Sequence, residues 1–554
     1  WGAPTVPHRG ALVLPRGVLD EQGGRMPLND QQRARLEKIR ELRAQGIDPY
    51  PPRSSRTLTA ADAVARFAEL EPHLRGEPDP EPVTVAGRVV SIRDMGGTVF
   101  SHIRDGSGSI QLFLRRDTVG AEQLAWFKRY IDLNDFVEAD GHLFRTRTGE
   151  ISLHVTALRL LSKAINPPPD KWHGLSDVET RYRQRYVDLM TNPATRQVFV
   201  TRAQVIRAIR RYLDERGFLE VETPTLQPIY GGAAARPFTT YYHALDQTFY
   251  LRISDELYLK RLIVGGYDRV YEICKDFRNE GIDARHNPEF TMLEFYVAYA
   301  DYRDIMQMCE ELIVFAAQEA LGTLLVPWGS HTIDFTPPWT RMSFREALLR
   351  YTGIDFLAVT DQPTLYRLAR ELGADVRPDT VWPRILDELL KTFVRPELIQ
   401  PTFVYDYPVA LSPLAKRKPE DPRLVERFQL FVGGLELANA YTELNDPLDQ
   451  CYRFLEQARD RARGDEEAMP IDEDFINALM YGMPPTGGFG LGIDRLVMLF
   501  TNRQTIREVI LFPQLRSKPE PLGLTEDLQP YLDLVPGVQD SLACEDSPTE
   551  ANSG

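Results

Sequence analysis

Residues 277–296 read Phe-Arg-Asn-Glu-Gly-Ile-Asp-Ala-Arg-His-Asn-Pro-Glu-Phe-Thr-Met-Leu-Glu-Phe-Tyr, and their pattern decides the fold. Two strand-like segments flank a loop rich in arginine, histidine and carboxylates. At period two, Phe290, Met292, Glu294 and Tyr296 share one face of the second segment. A carboxylate and a phenol beside a phenylalanine do not suit an apolar core; they suit a pocket that grips a cation and an aromatic ring. Arg278, Arg285 and His286 lie close by in sequence and are suited to phosphates. The plain alternative is a surface hairpin with ordinary salt bridges.

Three further blocks carry chemistry. Residues 485–500, Pro-Thr-Gly-Gly-Phe-Gly-Leu-Gly-Ile-Asp-Arg-Leu-Val-Met-Leu-Phe, combine glycines that let backbone approach a ligand with an apolar helix from Ile493. Arg495 falls in the first turns of that helix. The spacing is not G-x-G-x-x-G and no βαβ unit surrounds it, so a dinucleotide fold is disfavoured. In Gly433–Asp446, Asn439, Tyr441 and Glu443 fall on one strand face while Glu436 has the opposite parity. A shared site there requires a bulge or a twist. The fourth block pairs Gly231-Gly232-Ala-Ala-Ala-Arg236 with Arg252-Ile-Ser-Asp-Glu256-Leu-Tyr258-Leu-Lys260. Small residues admit a substrate backbone, and Glu256 with Glu294 offers two carboxylates to an ammonium that loses its water.

The chain has 554 residues and a net charge of −15. That length allows two or three domains with a large core. The acidic balance means that any nucleic acid is held by local patches. No apolar run reaches the roughly 18 residues of a membrane span. Cys274, Cys309, Cys451 and Cys544 lack metal-ligand spacing and suit reduced thiols in a cytosolic protein.

Residues 29–46 read as a helix whose Arg33, Arg35, Lys38, Arg40 and Arg43 suit either a solvated face or phosphate binding. Strands are expected at Val83–Ile92, Thr98–Asp105, Ser109–Leu114, Asp135–Phe144 and Ile151–Leu158, with a partly helical insert at 120–131. That order fits a small OB-type barrel. After the Pro167-Pro168-Pro169 joint, helices are expected at 181–192 and 202–216, then a strand at 218–222. Residues 337–425 read as a mixed insertion, and beyond Lys518 the only charged residues are acidic.

Taken together, the blocks resemble class II aminoacyl-tRNA synthetases, with 277–296 similar to motif 2 and 485–500 to motif 3. The Arg285-His-Asn-Pro-Glu-Phe-Thr wording is similar to the lysine-specific branch of bacterial type. Gly87-Arg88, Ile110-Gln111-Leu112, Lys171-Trp-His-Gly-Leu and Arg181-Tyr-Arg-Gln-Arg-Tyr-Val-Asp extend the likeness over about residues 28–515. The resemblance implies an α+β fold: an antiparallel-sheet catalytic domain at 181–515 behind an N-terminal helix and OB-fold anticodon-binding domain at 28–165. A linker at 166–180, a disordered extension at 1–27 and an acidic disordered tail at 516–554 complete the expected organisation.

The resemblance also implies ATP-dependent activation of lysine, then transfer to tRNA, by a cytoplasmic homodimer whose interface uses residues 202–224. Carried over by position, lysine contacts are Gly232, Glu256, Arg278, Glu294, Tyr296, Asn439, Tyr441 and Glu443. ATP contacts are Arg278, Glu280, His286, Asn287, Phe290, Glu436 and Arg495, of which Arg278 and Arg495 are the catalytic pair. Anticodon contacts are Phe100, Gln111 and Glu150. Magnesium would be held by Glu436 and, weakly, by Gln429, which stands where bacterial relatives usually carry glutamate. A protein-lysylating paralogue or a non-catalytic regulator built on the same fold are the competing readings.

Overall fold

The structure, a computed structural model, describes residues 28–169, 175, 177–462, 468–517 and 524–536. It forms two compact units, one comprising residues up to 173 together with those after 516, the other 174–516.

In the first unit, α1 (Asp30–Ala44) starts at a reciprocal cap in which Asn29 accepts from the Gln32 N–H and Gln32 reaches back to Asn29. Five strands follow: β1 (Val83–Asp94), β2 (Thr98–Arg104), β3 (Ser109–Arg115), β4 (Phe136–Arg145) and β5 (Ile151–Ser162). They close into a barrel in the order β1-β2-β3-β5-β4, with a helix at Ala121–Tyr130 between β3 and β4. Alternation along β2 puts Val99, Ser101 and Ile103 inside and Phe100 and His102 outside. Several of the basic residues of α1 find partners within this unit. Arg35 is buried and donates to the carbonyls of Leu133, Ala164 and Asn166, Lys38 pairs with Asp132, and Arg40 pairs with Glu37. Arg33 and Arg40 remain exposed. Within the stretch expected as an acidic tail, Leu524–Leu528 and Gln529–Leu534 are helical, and Leu528, Tyr531 and Leu534 pack on Leu36 and Ile39. Residues 1–27 and 537–554 lie outside the described residues.

The second unit is built on an eight-stranded sheet. Its strands are β6 (Leu219–Glu220), β7 (Arg269–Phe277), β8 (Glu289–Ala298), β9 (Thr340–Ser343), β10 (Thr402–Pro408), β11 (Leu424–Val432), β12 (Leu435–Thr442) and β13 (Thr486–Gly492), in the order β9-β10-β11-β12-β13-β8-β7-β6. Pairing is antiparallel except at the two edges. The expected strand at 218–222 shrinks to Leu219–Glu220, which pair in register with β7, and Val221 adds one bond to the Tyr271 carbonyl. The expected helix at 181–192 breaks at Gln184 into two short helices. The helix expected from 202 begins earlier, as α2 (Pro193–Asp214), because Asn192 caps it and Pro193 fits its first turn.

Two devices fix the sheet around the pocket. The β11–β12 register shifts between Leu430 and Phe431, so Leu430 faces Ala438 while Phe431 faces Glu436. This is the bulge that the parity of Glu436 requires. The second is Asp494, at the start of the apolar helix Ile493–Phe500. It accepts from the Thr291 N–H at 2.7 Å and from Arg202 at 2.6 Å, tying that helix to β8 and α2. Asp494→Ala leaves a buried N–H and a guanidinium without their acceptor. It is expected to destabilise the unit by about 3 kcal/mol, read as a lower urea midpoint.

Candidate active site

One face of the sheet opens on a cavity of about 440 Å³. Its floor follows from pairing. Met292, Glu294 and Tyr296 of β8 lie opposite Gly492, Gly490 and Gly488 of β13, and Asn439 and Tyr441 of β12 flank Gly490 and Gly488 from the other side. Large polar side chains converge because the strand between them has none. A Cβ at 488 would collide with the Glu443 Oε1 and come within 2.6 Å of the Tyr296 ring. Gly232 has φ of +86°, and a Cβ there would meet the Ser254 Oγ at 2.8 Å; glycine is required on both counts.

The acidic end is a connected network. Glu256, at the start of α3 (Glu256–Val264), accepts from the Tyr441 hydroxyl at 2.7 Å and from the fully buried Lys260 at 2.5 Å. Lys260 also pairs with Glu443 Oε2, while Glu443 Oε1 has no donor. Glu294 accepts from Tyr296 at 2.9 Å and Ser254 at 3.1 Å. Burial, then the Glu256 and Asp276 carboxylates, push the Glu294 carboxyl up to about 8. Glu443 is likewise raised, by burial and by Glu256, against the pull of Lys260. This end asks for a buried cation.

The opposite end carries guanidiniums. Arg278 lies over the Phe290 ring, 5.1 Å from its centre. Arg495 donates to the Glu436 carbonyl at 2.9 Å and to His286 Nε2 at 3.2 Å. With Nε2 accepting, His286 carries its proton on Nδ1 and donates it to Asp283 at 2.8 Å. Burial lowers the Arg495 pKa, and the Arg278 and Arg285 charges lower it further, against Glu436. Arg395 is lowered the same way, by burial and by Arg285. Buried arginines crowded by further guanidiniums form a receptor for a polyanion. Glu280 and Asn287 also line the cavity.

The cavity thus brings together every pocket residue expected from sequence except Gln429. That side chain does not line it. Its oxygen accepts from Tyr407 at 2.6 Å and its amide donates to Glu436 at 2.8 Å. Flipping the amide would set two acceptors against each other at Glu436, so only this orientation satisfies both partners. Glu436 remains suited to a hard cation; Gln429 as placed does not. The sequence reading missed Arg427, which lines the cavity and orients Asn439 at 2.8 Å, and Lys260 as the buried counter-ion. The i,i+4 spacing of Glu256 and Lys260 on one helix was the available signal.

On the barrel, Phe100 packs against Phe113 at 5.0 Å, and Phe113 in turn against Phe144 and His154. Gln111 donates to Glu150 at 2.7 Å, and His102 reaches the other Glu150 oxygen at 2.7 Å. A ring platform beside a fixed amide and carboxylate is suited to unpaired bases.

Residues 177–516 match the family described as tRNA synthetases class II (D, K and N), and residues 83–161 match the OB-fold nucleic acid binding domain. The chain belongs to the class II tRNA synthetases of this D, K and N group. It is 57% identical over 497 residues to the lysine–tRNA ligase of Roseiflexus castenholzii, covering 89% of this chain and 100% of that protein. It is 54% identical to the lysine–tRNA ligase of Chloroflexus aurantiacus, with the same coverage of each chain. Against the lysine–tRNA ligase of Pelotomaculum thermopropionicum it is 51% identical over 90% of this chain and 98% of that protein.

Removing Lys260 leaves Glu256 and Glu443 buried without their counter-ion. Lys260→Met is expected to destabilise the unit by about 3–5 kcal/mol. Adding Glu443→Gln should recover part of that loss, which a thermal-melt double-mutant cycle measures.

Proposed function

We infer that this chain is a lysine–tRNA ligase. It activates L-lysine with ATP to lysyl-adenylate and pyrophosphate, then passes the lysyl group to the 3′ end of its tRNA. The observation that carries the reading is one cavity with a guanidinium end and a carboxylate end. That charge division suits a polyphosphate at one end and an ammonium at the other.

The lysine carboxylate must attack the α-phosphate, so two anions have to meet. Arg278 would bridge them and stabilise the charge that develops there. Phe290 would stack the adenine, with Glu280 taking its amino hydrogens and Asn287 beside it. His286 and Arg495 would receive the outer phosphates; their mutual hydrogen bond supports a preset pair. Glu256, Glu294 and Glu443, with Tyr296 and Tyr441, would hold the lysine ammonium groups, each charge-assisted bond contributing roughly 1.5–3 kcal/mol. Gly232 and Asn439 would contact the amino-acid backbone. The step depends on positioning and charge more than on an acid–base pair.

Magnesium, where bound, shields phosphate charge, and Glu436 would hold it. Gln429, committed to Tyr407 and Glu436, would not be a ligand. Phe100, Gln111 and Glu150 would read the anticodon. A homodimer through the 202–224 region is supported by exposed Leu219. A cytoplasmic setting suits the free thiols of Cys274, Cys309 and Cys451. No helix among the described residues is long and apolar enough to cross a membrane.

The test is ATP–pyrophosphate exchange with lysine, ornithine, aspartate and asparagine. Exchange with lysine alone supports the reading; exchange with aspartate or asparagine alone, or none, removes it. Phe100→Ala should leave that exchange unchanged while weakening tRNA by about 1–3 kcal/mol, seen as a higher KM for tRNA in charging. Gln429→Glu should shift the magnesium dependence of exchange to lower concentration, because a carboxylate is the stronger ligand; identical midpoints would refute this.

A further inference from the structure

Asp255 grips neither end of the cavity. It stands at the N-cap of α3, yet its side chain makes no capping bond. It is fully buried, and neither carboxylate oxygen has a donor. An aspartate there ordinarily stabilises its helix by about 1 kcal/mol. Forgoing the cap and burying an unpaired carboxylate adds a larger cost, so a compensating group is required.

The surroundings identify its charge. Carboxylate oxygens of Asp255, Asp276 and Glu294 lie within 4.8 Å of one another, all three residues buried. Asp276 Oδ2 also lacks a donor. Of the neighbouring cations, Arg278 and Arg252 act on Asp276, each pulling its pKa down against burial. Arg252 sits 3.6 Å from Asp276 but donates to Glu272 at 2.7 Å and to the carbonyls of Lys275 and Thr223. Lys260 is held by Glu256 and Glu443. A single shared proton would join one pair of oxygens and leave a third orphaned.

We propose that Asp255, Asp276 and Glu294 bind one hard divalent cation of the magnesium–calcium class beneath the carboxylate end of the cavity. The donors are all oxygen, and a 4.8 Å span accommodates opposed ligands with bonds of about 2.3–2.6 Å. The Cys274 thiol donates to Asp276 at 3.7 Å and is held protonated by burial and the surrounding carboxylates, so it is not a thiolate ligand. The ligand set shares no residue with Glu436 and would hold its ion in the absence of ATP. The ion fixes Glu294 in place and, if the lysine reading holds, sets the charge beneath the substrate ammonium.

The probe is Mn²⁺, titrated into the full chain without ATP and followed by electron paramagnetic resonance. Wild type and Glu436→Gln should each bind one ion per chain. Asp255→Asn should bind it at least about tenfold more weakly, as the loss of one carboxylate ligand requires. Asp276→Asn is read the same way should Asp255→Asn fail to fold by circular dichroism. Unchanged Mn²⁺ binding in the folded variant, or none in wild type, would overturn the proposal and mean that protons neutralise the cluster. This readout does not depend on amino-acid identity, so its failure is distinguishable from failure of lysine-dependent exchange.

Discussion

Repulsion between like charges, held at the two ends of one buried cavity, is the constraint on which the rest of this structure depends. At one end burial, together with the neighbouring Arg278 and Arg285 charges, lowers the proton affinity of Arg495, and burial with Arg285 lowers that of Arg395. At the other, burial and the Glu256 carboxylate raise the proton affinity of Glu294 and Glu443, with Lys260 as the buried counter-ion of Glu256 and Glu443. Low local polarity strengthens both sets of repulsions. Each end is unfavourable until a ligand of opposite sign arrives, and that ligand gains interactions whose reorganisation cost was met during folding. A molecule carrying phosphates and an ammonium satisfies both ends at once.

Keeping such clusters together requires a stiff frame, and the sheet supplies it with few devices. Glycines along β13 clear space for side chains on both neighbouring strands, so Glu294, Tyr296, Tyr441 and Glu443 converge without strain at their own backbones. The shift in the β11–β12 ladder turns Glu436 onto the face of Asn439. Asp494 locks the helix bearing Arg495 to the strand bearing Glu294. Loss of one device would move several charges together.

Much of this was legible in the sequence because period-two patterning and glycine placement are local signals. The face of Phe290, Met292, Glu294 and Tyr296 is visible from alternation alone, and the bulge at Glu436 follows from a parity conflict. The barrel strands were equally plain, bounded by turn residues. Features decided by long-range partners were not. Arg35 of α1 looks free until Leu133, Ala164 and Asn166, distant in sequence, prove to be its acceptors. Gln429 reads as a weakened metal ligand, and only Tyr407, from another strand, shows that its oxygen is already used. Asp255 carries no signal in the sequence, because burial without a donor cannot be read from one chain segment.

The measurement that tests the charge division most directly is calorimetric binding of two non-reactive adenylate analogues, lysyl-sulfamoyl-adenosine and its norleucyl counterpart. They differ in whether an ammonium reaches the carboxylate end. Two charge-assisted hydrogen bonds at roughly 1.5–3 kcal/mol each predict that the lysyl compound binds at least about 100-fold more tightly. Equal affinities would contradict the account, since the buried carboxylates would then not be the receptor for the amino acid.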